Sequence, residues 1–329
     1  MAHPQASSSS VSHVCLPEQR RGRLRAALTE GRLLRAIECH NALSAMLGAG
    51  AIGDGGRRFD ALWASGFAHA TTMGLPDAEL SWLERRLDSI ADIGAATALP
   101  IIVDADTGGD ELAFAHLCRR LEALGVSGIV VEDKAGAKRT SLAASVRHEM
   151  ADPTMFVDKI AKAKAAMLTA DVMIFARIES LIAGLGLDDA LARAEIYLLG
   201  APDGIVIHSK DRTAKEILDF MAGYRALQHR LEVWKPLVSI PTAYNHLTGA
   251  DLHAHGAAIV IHANHLVRAS FEAMRQTAKM LLDNDRSLEA DALCAPVTAI
   301  FDAVGVDLGT GLAPAAREQG VRQDCGHGQ

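Results

Sequence analysis

Two hydrophobic rhythms alternate along the chain. Short unbroken apolar runs at 34–38, 59–64, 99–104, 128–132, 172–178, 204–208, 237–240 and 257–261 read as strands covered on both faces, which have no polar side to show. Amphipathic stretches follow most of them, at 81–97, 110–124, 154–169, 187–199, 213–227 and 267–283. Within 110–124, Leu112, Phe114, Ala115, Leu117, Cys118, Leu121 and Leu124 recur near the helical period. Strands alternating with helices in this way predict the α/β class and a (β/α)8 TIM-type barrel. A doubly wound open sheet is the competing architecture, but it requires a glycine-rich phosphate turn after its first strand, and Glu38-Cys39-His40-Asn41 is not one. Residues 1–20 and 306–329 lack periodicity and predict disordered tails around one α/β barrel domain at 21–305.

A parallel barrel carries its chemistry at the C-terminal ends of its strands. The predicted strands end in Glu38, His40 and Asn41; Ser65; Asp104 and Asp106; Glu132, Asp133 and Lys134; Arg177 and Glu179; and His208. Asp104 and Asp106 lie two apart, so an extended chain points them the same way, and like charges so placed repel unless a cation or proton separates them. A hard divalent cation with oxygen ligands answers this; a solvated strand end or a helix cap is the other reading. Arg177 and His208 are donors suited to an oxyanion, so the rim fits a polyanion bridging a metal and cationic side chains. Arg177 and Glu179 share a face and are also candidates for an internal pair, as are Asp133 and Lys134, while His208 could serve as a satisfied core histidine.

Composition narrows the picture. A net charge of −7 excludes a general nucleic-acid binder, and no apolar run reaches the ~20 residues that span a bilayer. The N-terminus, with Ser7 to Ser10, shows no apolar core of a signal peptide. Five scattered cysteines predict free thiols in a reducing cytoplasm, with Cys39 a small buried hydrophobe. No G-x-S-x-G elbow is present.

Trp63-Ala64-Ser65-Gly66-Phe67, Gly74-Leu75-Pro76-Asp77, Asp104-Ala105-Asp106-Thr107-Gly108, Glu132-Asp133-Lys134, Ala176-Arg177-Ile178-Glu179, His208-Ser209-Lys210 and Ala263-Asn264-His265 resemble the phosphoenolpyruvate mutase/isocitrate lyase superfamily, in order, over about residues 24–302. Within it the chain resembles the branch acting on phosphonopyruvate. The resemblance implies a barrel whose last helix is exchanged between subunits of a homodimer or homotetramer. It implies a Mg²⁺ site, with Mn²⁺ or Co²⁺ as alternatives, in which Asp104 is the direct ligand and Asp77, Asp106 and Glu132 hold metal-bound waters. Ser65 and the backbone of Gly66 and Phe67 would take the substrate carboxylate, and Trp63 would wall the pocket. Arg177 and His208 would grip the oxyanion end of a 2-oxo acid phosphonate. A gate over about 135–152 would bring Lys138, Thr140, Ser141 and Leu142 onto the phosphonyl group.

The gate discriminates between branches. Lyases of the superfamily carry a catalytic cysteine in K-[KR]-C-G-H, whereas this chain reads Lys138-Arg139-Thr140-Ser141 and has no cysteine between Cys118 and Cys294. Mutases carry an Asn-Ser pair where Thr140-Ser141 stands, and Thr-Ser resembles the hydrolases; Ala263-Asn264-His265 resembles the mutases at least as well. Gly136-Ala137 replaces the usual Phe-Pro, and Gly109 replaces a common aromatic. The expectation is C–P hydrolysis of phosphonopyruvate, with Thr140 assisting attack on phosphorus and Asp77, Arg177 and His208 as further catalytic groups. The phosphomutase reaction is the alternative.

Overall fold

The computed structural model describes residues 14–80, 83–136, 148–307 and 311–312. Eight strands pair in parallel, each with the next and the eighth with the first, to close a barrel. They are β1 (Leu34–Cys39), β2 (Ala61–Ala64), β3 (Ile101–Asp104), β4 (Gly128–Glu132), β5 (Met173–Ile178), β6 (Gly204–Ile207), β7 (Leu237–Ser239) and β8 (Ala257–His262). The expected (β/α)8 barrel is therefore present, and the expected strands differ from these only at their ends. The predicted helices are α5 (Leu83–Ala96), α6 (Glu111–Ala123), α7 (Pro153–Ala166), α9 (Gly186–Leu199), α10 (Lys215–Leu231) and α12 (His265–Asn284). Shorter helices that the apolar pattern did not announce complete the chain: α1 (Pro17–Arg21), α2 (Arg23–Leu28), α3 (Ala42–Gly50), α4 (Gly66–Thr72), α8 (Ser180–Ala183), α11 (Gly249–Ala254) and α13 (Val297–Val304). Among the described residues no helix is long and apolar enough to cross a membrane.

Strand alternation sorts the core into two layers. Ile37, Leu62, Ile101, Val103, Ile129, Val131, Ile174 and Ile205 face the helices. Leu34, Ala36, Ala61, Trp63, Ile102, Val130, Phe175, Val206, Val238 and Ile261 fill the barrel, and Leu24 and Leu28 of α2 join them. Glycine makes this interior possible. A Cβ on Gly128 would come within 2.9 Å of the Leu24 side chain, and one on Gly204 within 2.6 Å of Phe175 Cδ1 and 2.8 Å of the Pro236 carbonyl. Gly204→Ala is therefore expected to overpack the barrel and cost about 1–3 kcal/mol, read as a lowered midpoint in denaturant unfolding.

The expected N-terminal tail needs correction at its end. Pro17–Arg21 is helical, and Arg20 is 1 % exposed. Its guanidinium donates to the carbonyls of Gly94, Thr97 and Cys15, so it caps the otherwise open C-terminal end of α5. A charge with that many fixed acceptors is satisfied inside, which the polar composition alone conceals. At the other end, Val306–Asp307 pairs antiparallel with Gly311–Leu312 within the expected tail. Asn41, just beyond the end of β1, caps α3: its side chain accepts from Ser44 N at 2.8 Å, and Ser44 Oγ accepts from Asn41 N at 3.1 Å.

Candidate active site

The inward-facing core residues predict where the chemistry must sit. Two positions beyond Trp63, Ile102, Val130, Phe175 and Val206 come Ser65, Asp104, Glu132, Arg177 and His208, which the same alternation turns toward the barrel axis. All five are buried, between 2 % and 7 % exposed. Their contacts form one network. Arg177 Nη1 lies 3.1 Å from Glu132 Oε1 and 3.9 Å from Asp104 Oδ1, while Arg177 Nε lies 2.6 Å from Glu179 Oε1. His208 Nε2 is 2.8 Å from Glu179 Oε1 and 3.0 Å from Arg177 Nη2. Lys134 Nζ bridges Glu132 Oε2 at 2.9 Å and Glu179 Oε2 at 3.0 Å.

Burial and charge compete here, and charge prevails for two of three groups. Burial alone would raise the Glu179 carboxyl, but Arg177, then His208, hold it well below the ordinary carboxylate range. Burial would lower the Arg177 guanidinium, yet Glu179, Glu132 and Asp104 push it up, so it is always charged. Burial, then Arg177, lowers His208, with Glu179 opposing, which favours the neutral imidazole near neutral pH. Arg177 thus forms the internal pair considered for it with Glu179, and its guanidinium also faces Glu132 and Asp104.

Asp104 closes the ring on its other side. Gly66 N donates to Asp104 Oδ2 at 3.3 Å, and Asp106 N donates to Asp104 Oδ1 at 3.3 Å. The first contact joins Asp104 to the start of α4, where Ser65 is the N-cap and its hydroxyl accepts from Ala68 N at 3.3 Å. Gly66 and Phe67 open that helix, so the segment expected to take a carboxylate presents main-chain N–H groups beside Asp104. Trp63, expected to wall the pocket, is 2 % exposed and belongs to the core layer beneath Ser65. Asp106 has φ 55°, a left-handed backbone that a short polar residue tolerates, and is 3 % exposed. Asp77 is half-buried in the turn after α4. Lys138, Thr140, Ser141 and Leu142 lie outside the described residues.

Asp133 and Lys134 do not form the pair considered for them. They are adjacent in extended chain and so face opposite ways. Lys134 turns inward to the two glutamates, while Asp133 turns outward to Tyr197, whose hydroxyl donates to Oδ2 at 2.8 Å, and to Arg193 at 3.3 Å. Burial pushes the Asp133 carboxyl up to about 6, against the pull of Arg193. This second cluster braces the site. Glu179 N donates to Asp133 Oδ1 at 2.9 Å, and Arg193 donates to the Ala151 carbonyl at 2.9 Å. Ala135 N donates to Glu149 O and Ala151 N to Asp133 O, so the two ends of the expected gate are tied together by backbone.

Sequence reasoning missed Arg86 and Arg193 as structural partners of the site, and it placed Glu38 at a strand end without naming its partners. Glu38 is fully buried, with His40 Nδ1 at 2.6 Å and Val267 N donating at 2.9 Å, which docks the first turn of α12 onto β1. Arg86 and Arg193 carried a usable signal. Each falls in phase with an apolar helical stripe, Arg86 with Ile90 and Ile93, and Arg193 with Ala190, Ala194 and Tyr197.

Carboxylates therefore face a guanidinium and an imidazole at the mouth of a parallel barrel. The chain matches the family model "Phosphoenolpyruvate phosphomutase" over residues 24–282 and belongs to that family. It is 37 % identical over 284 residues to a phosphonopyruvate hydrolase of Variovorax sp. (strain Pal2), covering 86 % of this chain and 93 % of that one. It is 32 % identical over 275 residues to a phosphoenolpyruvate phosphomutase of Tetrahymena pyriformis, covering 82 % and 86 %. Among solved structures, a phosphoenolpyruvate phosphomutase from Streptomyces platensis subsp. rosaceus superposes with a TM-score of 0.78 at 34 % identity, covering 88 % of this chain and 95 % of that one. A phosphonopyruvate hydrolase in complex with oxalate and Mg²⁺ gives 0.76 at 35 %, with the same coverage.

Proposed function

We propose that this chain is a Mg²⁺-dependent phosphonopyruvate hydrolase that cleaves the C–P bond to give pyruvate and phosphate. The observation that carries the reading is the buried ring in which Asp104 and Glu132 face Arg177 and His208 at the strand ends. The 37 % identity to a phosphonopyruvate hydrolase supports the same assignment.

The donor set fits Mg²⁺: Asp104, Asp106 and Glu132 bring hard carboxylate oxygens to one strand-end layer. Asp104 would be the direct ligand, with Asp106, Glu132 and Asp77 reached through water; Mn²⁺ or Co²⁺ would serve in its place. When bound, Mg²⁺ supplies polarisation of the substrate keto group, which makes the pyruvate enolate an acceptable leaving group.

The chain's own residues do the rest. Main-chain N–H groups at the start of α4, with the Ser65 hydroxyl, receive the carboxylate. Arg177 and His208 hold the phosphonyl oxygens and stabilise charge as the bond stretches. Lys134, held between Glu132 and Glu179, helps keep the Glu179 carboxyl ionised without entering the reaction. Water attacks phosphorus, the C–P electron pair passes to carbon, and a proton from that water ends on the methyl group of pyruvate. Thr140 is assigned to orient or relay the attack, because a hydroxyl leaves room for water where an amide would shield the phosphoryl group.

The phosphomutase reading is favoured by Ala263-Asn264-His265, and by the 34 % identity to a solved phosphomutase. Incubation with phosphonopyruvate and Mg²⁺, followed by ³¹P NMR, tests both. Inorganic phosphate, matched by pyruvate, is expected. Phosphoenolpyruvate would replace the hydrolase reading with the mutase, and an unchanged phosphonate signal would remove both.

The assembly is proposed as a homodimer or homotetramer with the last helix exchanged. Val267 is the sole buried residue that α12 contributes among the described residues, while Phe271, Met274 and Leu282 are 60 %, 65 % and 84 % exposed. An apolar stripe of that extent calls for a second copy. The cytoplasm is the proposed location.

A further inference from the structure

We propose that Arg86 is a positioning residue for the carboxylate of Asp106, and that Arg86 is itself steadied through an internal water shared with His69. The inference rests on the metal reading given above. Arg86 Nη1 lies 2.6 Å from Asp106 Oδ2, and both side chains are withdrawn from solvent, at 13 % and 4 % exposure. On the opposite side of the carboxylate, a Cβ on Gly66 would stand 2.5 Å from Asp106 Oδ1. Asp106 is therefore clamped between a guanidinium and a glycine that carries no side chain. Its left-handed backbone fixes the root of the same side chain. A carboxylate bonded at Oδ2, seated against a side-chain-free glycine at Oδ1 and fixed at its base is confined to few orientations toward a hydrated cation, which is the office of an outer-shell partner.

The other arm of the guanidinium supplies the second half. Arg86 Nη2 is buried without a hydrogen-bond partner, and so is His69 Nε2. Both residues line one small cavity, with Ser65 and His40 on its other walls, and the space suits a single water. Arg86 Nη2 would donate to that water, and the water would donate to His69 Nε2. Burial, then Arg86, pushes the imidazole down to about 4, so it stays neutral and keeps a lone pair to accept with. Without such a bridge, two buried polar nitrogens would each forfeit their hydration with nothing in return.

A positioning role and a purely electrostatic one predict opposite signs. As a bare positive charge near the acids, Arg86 would repel a divalent cation, and its removal would tighten binding. As a clamp, its removal would weaken binding. Mn²⁺ affinity of the substrate-free full chain, read by the free-Mn²⁺ EPR signal, separates them. Arg86→Met is expected to raise the dissociation constant about tenfold, Arg86→Lys to stay within about threefold of wild type, and His69→Leu to raise it about threefold. His69→Leu should add nothing on top of Arg86→Met, since both act through one bridge. Binding as tight as wild type, or tighter, in a folded Arg86→Met chain would overturn the inference. If that variant does not fold, His69→Leu decides, and an unchanged constant there would overturn it equally. A wild-type chain that binds no Mn²⁺ would remove the metal reading itself, a different failure from the first two.

Discussion

Replacing Arg177 with methionine is expected to lower kcat/KM for phosphonopyruvate by about 10³-fold, in line with the loss of a fixed donor that stabilises developing charge. The loss should fall on kcat more than on KM if the guanidinium works chiefly in the transition state. The same change should destabilise the fold by about 3–5 kcal/mol, because Glu132 and Glu179 would lose the guanidinium that pairs with both in a buried space. A pH signature follows. Arg177 is the foremost of the groups that hold Glu179 low, against the raising effect of burial. A carboxylate depressed in the fold contributes stability above its unfolded value near 4.3, and loses it as pH falls through the folded value. Without Arg177 the depression of Glu179 weakens, so the stability gap between variant and wild type should be widest near neutral pH and narrow as pH falls through the carboxylate range. Denaturant unfolding at stepped pH, followed by circular dichroism, reads this directly. A Met variant that retains activity within tenfold would place the oxyanion grip elsewhere.

Asp104→Asn should be as damaging to activity and much gentler to the fold. The amide keeps an acceptor for Gly66 N or Asp106 N but loses the charge a hard cation requires. The expected loss in kcat/KM is again about 10³-fold or more, as for removal of a principal stabilising group. The diagnostic readout is thermal. A ligand that binds only the folded state stabilises it, by about 2.7 kcal/mol at a hundredfold excess over its Kd. Wild type should therefore melt higher in Mg²⁺ than in chelator, while Asp104→Asn should melt at one temperature in both. Persistence of the Mg²⁺ shift in the variant would show that the ion sits on other ligands.

The barrel and the strand-tip layer were legible because both follow from alternation. Once Ile102, Val130, Phe175 and Val206 are placed inside, Asp104, Glu132, Arg177 and His208 must follow on the same face. The same rule, carried one residue further, turns Lys134 inward and Asp133 outward, and would have separated that pair without a structure. What composition hid was the set of buried charges on helices. Arg20, Arg86 and Arg193 read as surface residues by type, and only their phase with neighbouring apolar positions, or a count of acceptors in space, reveals them. The short helices α1 to α4 escaped because a single turn or two shows too few positions for a period to register. The family resemblance supplied what spacing could not, the assignment of Ser65, Gly66 and Phe67 to a carboxylate and of Asp77 to the metal's waters. Thr140 and its neighbours remain with the resemblance alone.

The central claim is that one divalent ion, held at Asp104 beside Arg177, organises a small 2-oxo acid in this barrel mouth. Diffraction from crystals grown with Mn²⁺ and oxalate, a planar stand-in for the pyruvate enolate, tests it at the metal's own absorption edge. The account predicts one anomalous peak bonded to the Asp104 carboxylate and to oxalate, with Asp106 and Glu132 reached through water. A peak bonded elsewhere, or oxalate bound in this site with no metal beside it, would contradict it.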